Sequence, residues 1–246
     1  MSALMVLVVM LGQVPTKVEV TLFPAAVQLN GMFTQTAGTF GTVSLRVREG
    51  VSLQVFGGGN WLARESKFND ELVQKSNLTA QKSNLLAWTW AVLAGLELEP
   101  LVGTLSVFGA ETKFSLTLGA GIGGGGASIR LAGSPQREIY GDAGPRFMGM
   151  VSSGLRVTIG QHLVLRAEIR DVMFGTQVTT INGCDGFDVN NWDRSFWPNG
   201  TPAVTANACR GFKSSVEAQG ASSALSKSVG GVAVNIGAYV GAGVVF

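Results

Sequence analysis

Apolar and polar residues alternate along most of this chain with a period of two, which is the pattern of half-buried strands and not of helices. The last segment is the plainest. Val232, Val234, Ile236, Ala238, Val240, Ala242, Val244 and Phe246 share one face, while Ala233, Asn235, Gly237, Tyr239, Gly241, Gly243 and Val245 share the other. In Gln161–Phe174, Leu163, Leu165, Ala167 and Ile169 oppose Arg166, Glu168 and Arg170. Pro145–Gly160 sets Phe147, Val151, Leu155, Val157 and Ile159 against Arg146, Ser152, Gly154, Arg156 and Thr158. Asn84–Glu99 sets Leu86, Trp88, Trp90, Val92, Ala94, Leu96 and Leu98 against Thr89, Gly95 and Glu97. Val51–Ala63 (Val51, Leu53, Val55, Trp61 against Ser52, Gln54, Asn60) and Phe40–Arg48 (Val43, Leu45, Val47 against Ser44, Arg46, Arg48) follow the same rule.

Two segments change phase. In Val18–Phe33 the apolar set moves from Val18, Val20 and Leu22 to Val27, Leu29 and Phe33 around Pro24. In Val102–Gly125, Leu105 and Val107 give way to Phe114, Leu116, Leu118 and Ile122 across Gly109-Ala110-Glu111. A β-bulge, which adds one unpaired residue, produces such a shift; the alternative is that each segment is two short strands. Counted singly, the segments make eight strands. Tight turns are expected at Glu49-Gly50, Glu99-Pro100 and Gly160-Gln161, long polar loops at 64–84, 126–144 and 175–229, and an intermediate connection at 34–39. Short and long connections alternate, which gathers the turns at one end of the sheet and the loops at the other.

Composition decides which face of such a sheet meets which solvent. Charged residues make up only 14% of the chain and Gly fills 34 positions. Soluble domains carry about 25% charge, and that many glycines inside helices would cost about 1 kcal/mol each. The abundance of Val, Leu and Phe excludes a disordered chain. No apolar run long enough for a membrane helix follows the first dozen residues. A net charge of +2, thinly scattered, argues against a nucleic-acid partner. The polar faces are rich in Gly, Ser and Thr and carry charges of both signs, as suits a narrow polar lumen. An apolar outer face survives in lipid, where every backbone group must be paired, and a closed sheet meets that demand because it has no edge. The pattern therefore predicts an all-β fold, an eight-stranded antiparallel up-and-down transmembrane β-barrel. Arg46, Arg48, Glu97, Arg146, Arg156, Arg166, Glu168 and Arg170 are expected to form its lumenal charge cluster. Trp61, Trp88, Trp90, Phe174 and Phe246 are expected in the interfacial aromatic girdles. Phe246 also matches the terminal aromatic that outer-membrane assembly machinery reads on many barrels. An interior of eight strands holds only side chains, so no large pore is expected.

Met1–Gly12 (MSALMVLVVMLG) has the length of a signal-peptide h-region, without a basic start or a clean A-x-A site. Residues 1–16 are read as an export signal and 17–246 as the barrel; the alternative for the first segment is a buried N-terminal strand. Cys184 and Cys209 share one polar stretch with no Cys or His cluster near them, which disfavours zinc. In an oxidising compartment they would close a disulfide loop worth about 3 kcal/mol in the chain-entropy account.

Motifs that elsewhere carry chemistry have plainer readings in this setting, and no catalytic residue, cofactor or metal is assigned. Gly119-Ala120-Gly121-Ile122-Gly123-Gly124 matches G-x-G-x-x-G, but GGGGAS opens a helix poorly. Glycines that relieve crowding inside a small barrel account for it. His162, the one histidine, sits at a tight turn with no G-x-S-x-G motif for it to serve. Glu168 between Arg166 and Arg170 suits ion pairing better than general-acid work. Residues 184–193 cluster oxygen ligands and suggest calcium, but no bidentate Glu follows at EF-hand spacing; Phe187, Trp192, Phe196 and Trp197 nearby suit a lid over the mouth or a partner contact. Glu65–Gln81 has the makings of one or two helical turns.

The order of LELEPLVGTLSVFG, KFSLTLGAGIG and GDAGPRFMGMVSSGLRVTIGQHLVLRAEIRD resembles the outer-membrane β-barrel domain proteins abundant in myxobacteria. The chain keeps Pro100, Gly103, Leu165, Arg166, Glu168, Arg170 and Asp171 of that pattern, with Val102 and Thr104 where Tyr and Lys stand in the family. The likeness spans roughly residues 17–174 and the last strand, and the 175–229 insert looks individual. It implies a fold and a location in the cell outer membrane, and no shared reaction. The expected partners are outer-membrane lipid, the barrel assembly machinery and an envelope protein or polymer met by loop 175–229. Three functions compete: a structural or interaction protein, a narrow anion-binding or transport barrel with a basic lumen (Arg46, Arg156, Arg166, Arg170), and a lipid-acting barrel enzyme.

Overall fold

A computed structural model describes residues 17–30, 34–65, 86–107, 110–134, 137–189, 212, 215–226, 228 and 230–246. Eight strands follow one another: β1 (Val18–Asn30), β2 (Thr34–Arg48), β3 (Val51–Glu65), β4 (Leu86–Val107), β5 (Ala110–Ser134), β6 (Arg137–Ile159), β7 (Leu163–Gly175) and β8 (Val232–Val245). A helix, α1 (Ser215–Ser226), precedes the last of them. Each strand pairs antiparallel with its neighbour in sequence, and β1 pairs with β8, so the sheet closes into an up-and-down barrel. The expected fold class is the observed one.

Closure is staggered. A path perpendicular to the strands from Val20 passes Val43, Val55, Ala94, Ile122, Gly149, Met173 and Val234. It re-enters β1 just beyond Asn30, at the opposite end of the strand where it began. Such a shear tilts the strands against the barrel axis and fixes how narrow the barrel is. Tight connections at Glu49-Gly50 and Gly160–His162 lie at one end, with Gly50 and Gly160 at φ of 72° and 63°. A side chain there would strain the backbone.

Alternation does what the sequence implies. In β7 every second residue is buried and the others are exposed or half-buried, Leu163, Leu165 and Ile169 outward and Arg166, Glu168 and Arg170 inward. All eight strands contribute exposed large apolar residues to the outer surface, among them Leu22, Val43, Val55, Val92, Ile122 and Val240. Trp61, Trp90 and Phe147 lie outside toward the loop end; Phe114 and Phe246 lie outside toward the turn end.

The register corrects several expectations. Glu99-Pro100 is no turn: β4 runs through it, with a register shift between Leu98 and Leu101. Proline lacks an N–H and is tolerated at a bulge. The phase change at Gly109-Ala110-Glu111 is not a bulge inside one strand but the boundary between β4 and β5. These two changes offset each other, so the strand count stays at eight. The shift around Pro24 is a bulge, between Phe23 and Ala26. Residues 34–39 belong to β2. The expected loop 126–144 is largely a continued hairpin, paired as far as Ser134 with Arg137. Loop 64–84 and the helical turns expected in Glu65–Gln81 lie almost wholly outside the described residues. Trp88 points inward and is fully buried, because a register shift between Trp88 and Trp90 turns the strand over; Phe174 is buried inside as well. Neither belongs to a girdle.

Because β3 begins at Val51 opposite Leu98, the Leu101–Val107 part of β4 pairs with β5 alone and projects past the other turns. At the opposite end, α1 and the segment 176–189 cap the mouth. Ala218, Ala221 and Ala224 of α1 join Val178, Ile181, Cys184, Val189 and Phe212 in one buried cluster with the barrel interior.

The inward glycines of β5 set the closeness of this packing. A Cβ on Gly123 would run into the carbonyl oxygen of Val92 and lie 2.8 Å from Leu93 Cα, both backbone atoms that do not swing aside. Gly123→Val is expected to lower stability by about 1–3 kcal/mol or more, read as the denaturant midpoint of the detergent-folded barrel. Gly149→Ala, whose Cβ meets nothing within 4 Å, is expected to leave that midpoint in place.

Candidate functional site

The turn-end half of the interior is a closed ion-pair network. Arg166 of β7 is its hub. Nε bonds Glu168 Oε1 at 2.5 Å, Nη1 bonds Glu19 Oε1 at 2.9 Å, and Nη2 bonds Glu97. Arg156 of β6 bridges Glu19 and Glu99, each at 2.5 Å, and Arg46 of β2 reaches Glu99 at 2.8 Å. Arg170 pairs with the second oxygen of Glu168 at 2.5 Å. Gln54 donates to Glu97 at 3.0 Å and Thr21 donates to Glu19 at 3.1 Å. Each of the eight charged groups belongs to a strand whose alternate face is apolar, so the pleat itself aims them together.

Directly toward the loops, the network ends on an aromatic box. The Arg170 guanidinium stands 4.5 Å from the Phe56 ring centre, 5.3 Å from Phe23 and 5.6 Å from Tyr239, a desolvated cation–π arrangement. Phe40 stacks on Phe56 at 5.3 Å and touches Trp88 at 5.2 Å, and Tyr239 meets Phe40 edge-on. Gln28 donates to Tyr239 Oη at 2.8 Å and accepts from Thr36 at 3.0 Å; Asn60 donates to the Trp88 carbonyl at 2.9 Å. Leu93, Met148, Met150 and Val172 continue the filling toward the cap. The interior is thus packed from one mouth to the other.

Of the lumenal residues expected from the sequence, Arg46, Glu97, Arg156, Arg166, Glu168 and Arg170 come together. Two do not. Arg48 is exposed at the β2–β3 turn, beyond a register shift after Arg46. Arg146 lies at the loop end, where it donates to the carbonyls of Gly175, Gln177 and Ala143 and ties the cap to the rim. Sequence reading missed Glu19 and Glu99. Glu19 alternates with Val18 and Val20 and was legible had the opposite face been followed; Glu99 was hidden by assigning it to a turn. With both included, four arginines face four glutamates. The lumen expected to be basic is charge-balanced.

Other singled-out residues fall as follows. Gly119–Gly124 lie inside β5, paired on both sides by β4 and β6, and open no helix. His162 is an exposed turn residue whose carbonyl accepts from Val245 N–H at 2.8 Å. Phe246, 74% exposed, exchanges backbone hydrogen bonds with Val18. Cys184 is fully buried in the cap; Cys209 lies outside the described residues. In the oxygen-rich stretch, Asp185 Oδ1 accepts from the N–H groups of Phe187 and Asp188, Phe187 is exposed, and Asn190–Asp193, Trp197 and Phe196 lie outside the described residues. No metal-holding group of three or more His, Cys, Asp or Glu occurs among the described residues.

Geometry therefore defines a class: a closed eight-stranded antiparallel barrel with a neutral ionic interior, an apolar exterior and a capped mouth. No family model matches the chain, and no curated protein matches it. Among solved structures, Neisserial surface protein A (NspA) is similar, with 9% identity, a TM-score of 0.34, and coverage of 94% of this chain and 95% of that one.

Breaking a buried ion pair on one side strands the other charge, at about 3–5 kcal/mol. Arg166→Leu, which leaves Glu97 without a guanidinium and takes one of two from Glu19 and from Glu168, is expected to show a loss of that size in chemical denaturation. Arg48→Ala, at an exposed site, is expected to stay within about 0.5 kcal/mol of the wild type.

Proposed function

We propose that this chain is a small barrel of the bacterial outer membrane with a structural or interaction role in the envelope, its external loops serving as the contact surface. One observation carries the reading. Every strand turns large aliphatic or aromatic side chains outward, while Glu19, Arg46, Glu97, Glu99, Arg156, Arg166, Glu168 and Arg170, from β1, β2, β4, β6 and β7, pair with one another inside. That inversion suits hydrocarbon as the outer solvent and a sheet without edges as the only way to satisfy its backbone there. Outward Trp61, Trp90 and Phe147 toward one end, and Phe114 and Phe246 toward the other, fit the two interfaces. The turn end then faces the periplasm, and the capped end, with loop 175–229, faces outward toward an envelope protein or polymer. Residues 1–16 serve as the export signal, the assembly machinery reads Phe246, and Cys184 pairs with Cys209 in the oxidising compartment. The anion-transport reading has less support, because the guanidiniums it relied on are each matched by a carboxylate and the lumen is filled.

The native tryptophans test the membrane reading. In vesicles of brominated lipid, part of the fluorescence is expected to be quenched, and less of it in a Trp61→Phe, Trp90→Phe variant, which keeps the inward Trp88 together with Trp192 and Trp197. An unquenched wild type, or a double variant quenched as before, would refute it. In planar bilayers the protein is expected to give no stepwise conductance; stable anion-selective steps would revive transport.

A further inference from the structure

The turn-end mouth is a cavity of about 580 Å³ that the ion network floors but does not fill. Its floor is Arg46, Arg156 and Glu99, with a single Glu99 oxygen shared by both guanidiniums. Arg156 also keeps a buried Nε–H with no hydrogen-bond partner. Above that floor stand Lys17 of the segment entering β1 and Lys113 of β5, both exposed and neither in an ion pair among the described residues. The ring order gives the arrangement its geometry. β1 and β5 are diametrically opposite, and so are β2 and β6, so two ammoniums face each other across the mouth and two guanidiniums face each other beneath them. The buried network is neutral in itself, so the two lysines are the cations that remain open to a ligand at this mouth, with the Glu49 carboxylate also on its rim. The projecting β4–β5 hairpin raises one wall, where Val102, on the same face as inward Ser115, offers an apolar surface.

From this we infer that the turn-end mouth binds a small phosphate-bearing anion, held between Lys17 and Lys113 over the Arg46–Arg156 floor, with any compact hydrocarbon part against Val102. An oxyanion is the ligand for which opposed ammoniums and a guanidinium floor are made, since such charge-assisted bonds are the strong ones. The site lies in the mouth and requires no passage through the barrel. Phosphate offered by a soluble ester and phosphate offered by a lipid headgroup share this chemistry.

Calorimetric titration of the detergent-folded barrel with glycerol phosphate and with inorganic phosphate tests the first source. Native mass spectrometry of phosphatidylglycerol retained by the barrel tests the second. Saturable binding in either arm is expected, weakened about tenfold or more in a Lys17→Ala, Lys113→Ala variant and falling as salt is added. Binding of the soluble esters identifies a soluble ligand; lysine-dependent retention of the lipid alone identifies a headgroup. No saturable binding in either arm, or binding that the double variant leaves unchanged, overturns the inference. Both lysines are exposed and in no ion pair among the described residues, so the variant is expected to keep the denaturant midpoint of the wild type. A folded barrel that fails to bind would sink this site and leave the membrane reading untouched.

Discussion

The pairing of β1 with β8 is the constraint on which everything else in this molecule depends. Once the first and last strands are hydrogen-bonded, the sheet satisfies its own backbone around most of the ring, and the side chains need no longer hide its edges. The outside is then free to be uniformly apolar and the inside to be ionic. The stagger of that closure sets the bore, and the bore sets what the inside can hold. Glycines on the inner face of β5 bring neighbouring strands and long side chains into contact, and the arginines and glutamates reach one another across the lumen because opposite walls stand so close.

Inside, the two halves solve the same problem in different ways. Toward the turns, eight charges neutralise one another in a chain of shared carboxylates, so no ion is left to be desolvated alone. Toward the loops, aromatic rings and methionines fill the space, and Arg170 belongs to both halves. One edge of its guanidinium meets Glu168 and its planar face meets Phe56. A lysine there would keep the charge but lose the flat surface that lets one residue join an ionic layer to an aromatic one. The cap continues this packing, so that α1 and the segment around Cys184 act as the end of the core and not as appendages to it.

Much of this was legible in alternation alone, because a strand in a closed barrel has only two environments and the sequence marks each residue for one of them. β7 and β8 could be assigned residue by residue. Errors arose wherever the backbone changes phase. Trp88 looked like an outward aromatic because the register shift before Trp90 leaves no mark in composition. Glu99-Pro100 looked like a turn because proline more often ends a strand than sits in a bulge. Missing Glu99 and Glu19 then made a balanced lumen look basic. The small residues of α1 (Ala218, Ala221, Ala224) carry the three-residue spacing of a buried helix face, but their low hydrophobicity gave that signal little weight beside the polar stretch around them.

The register shifts near Pro24, Thr89 and Pro100 have a consequence for how such a chain tolerates change in length. Insertion or deletion of one residue within a strand would exchange inner and outer side chains over the rest of that strand, putting guanidiniums on the apolar outer surface and leucines among carboxylates. A bulge absorbs the extra residue and restores the phase. Growth and shrinkage of the polypeptide are therefore confined to the connections, where no face has to be kept, and a strand can change length only where it is allowed to kink.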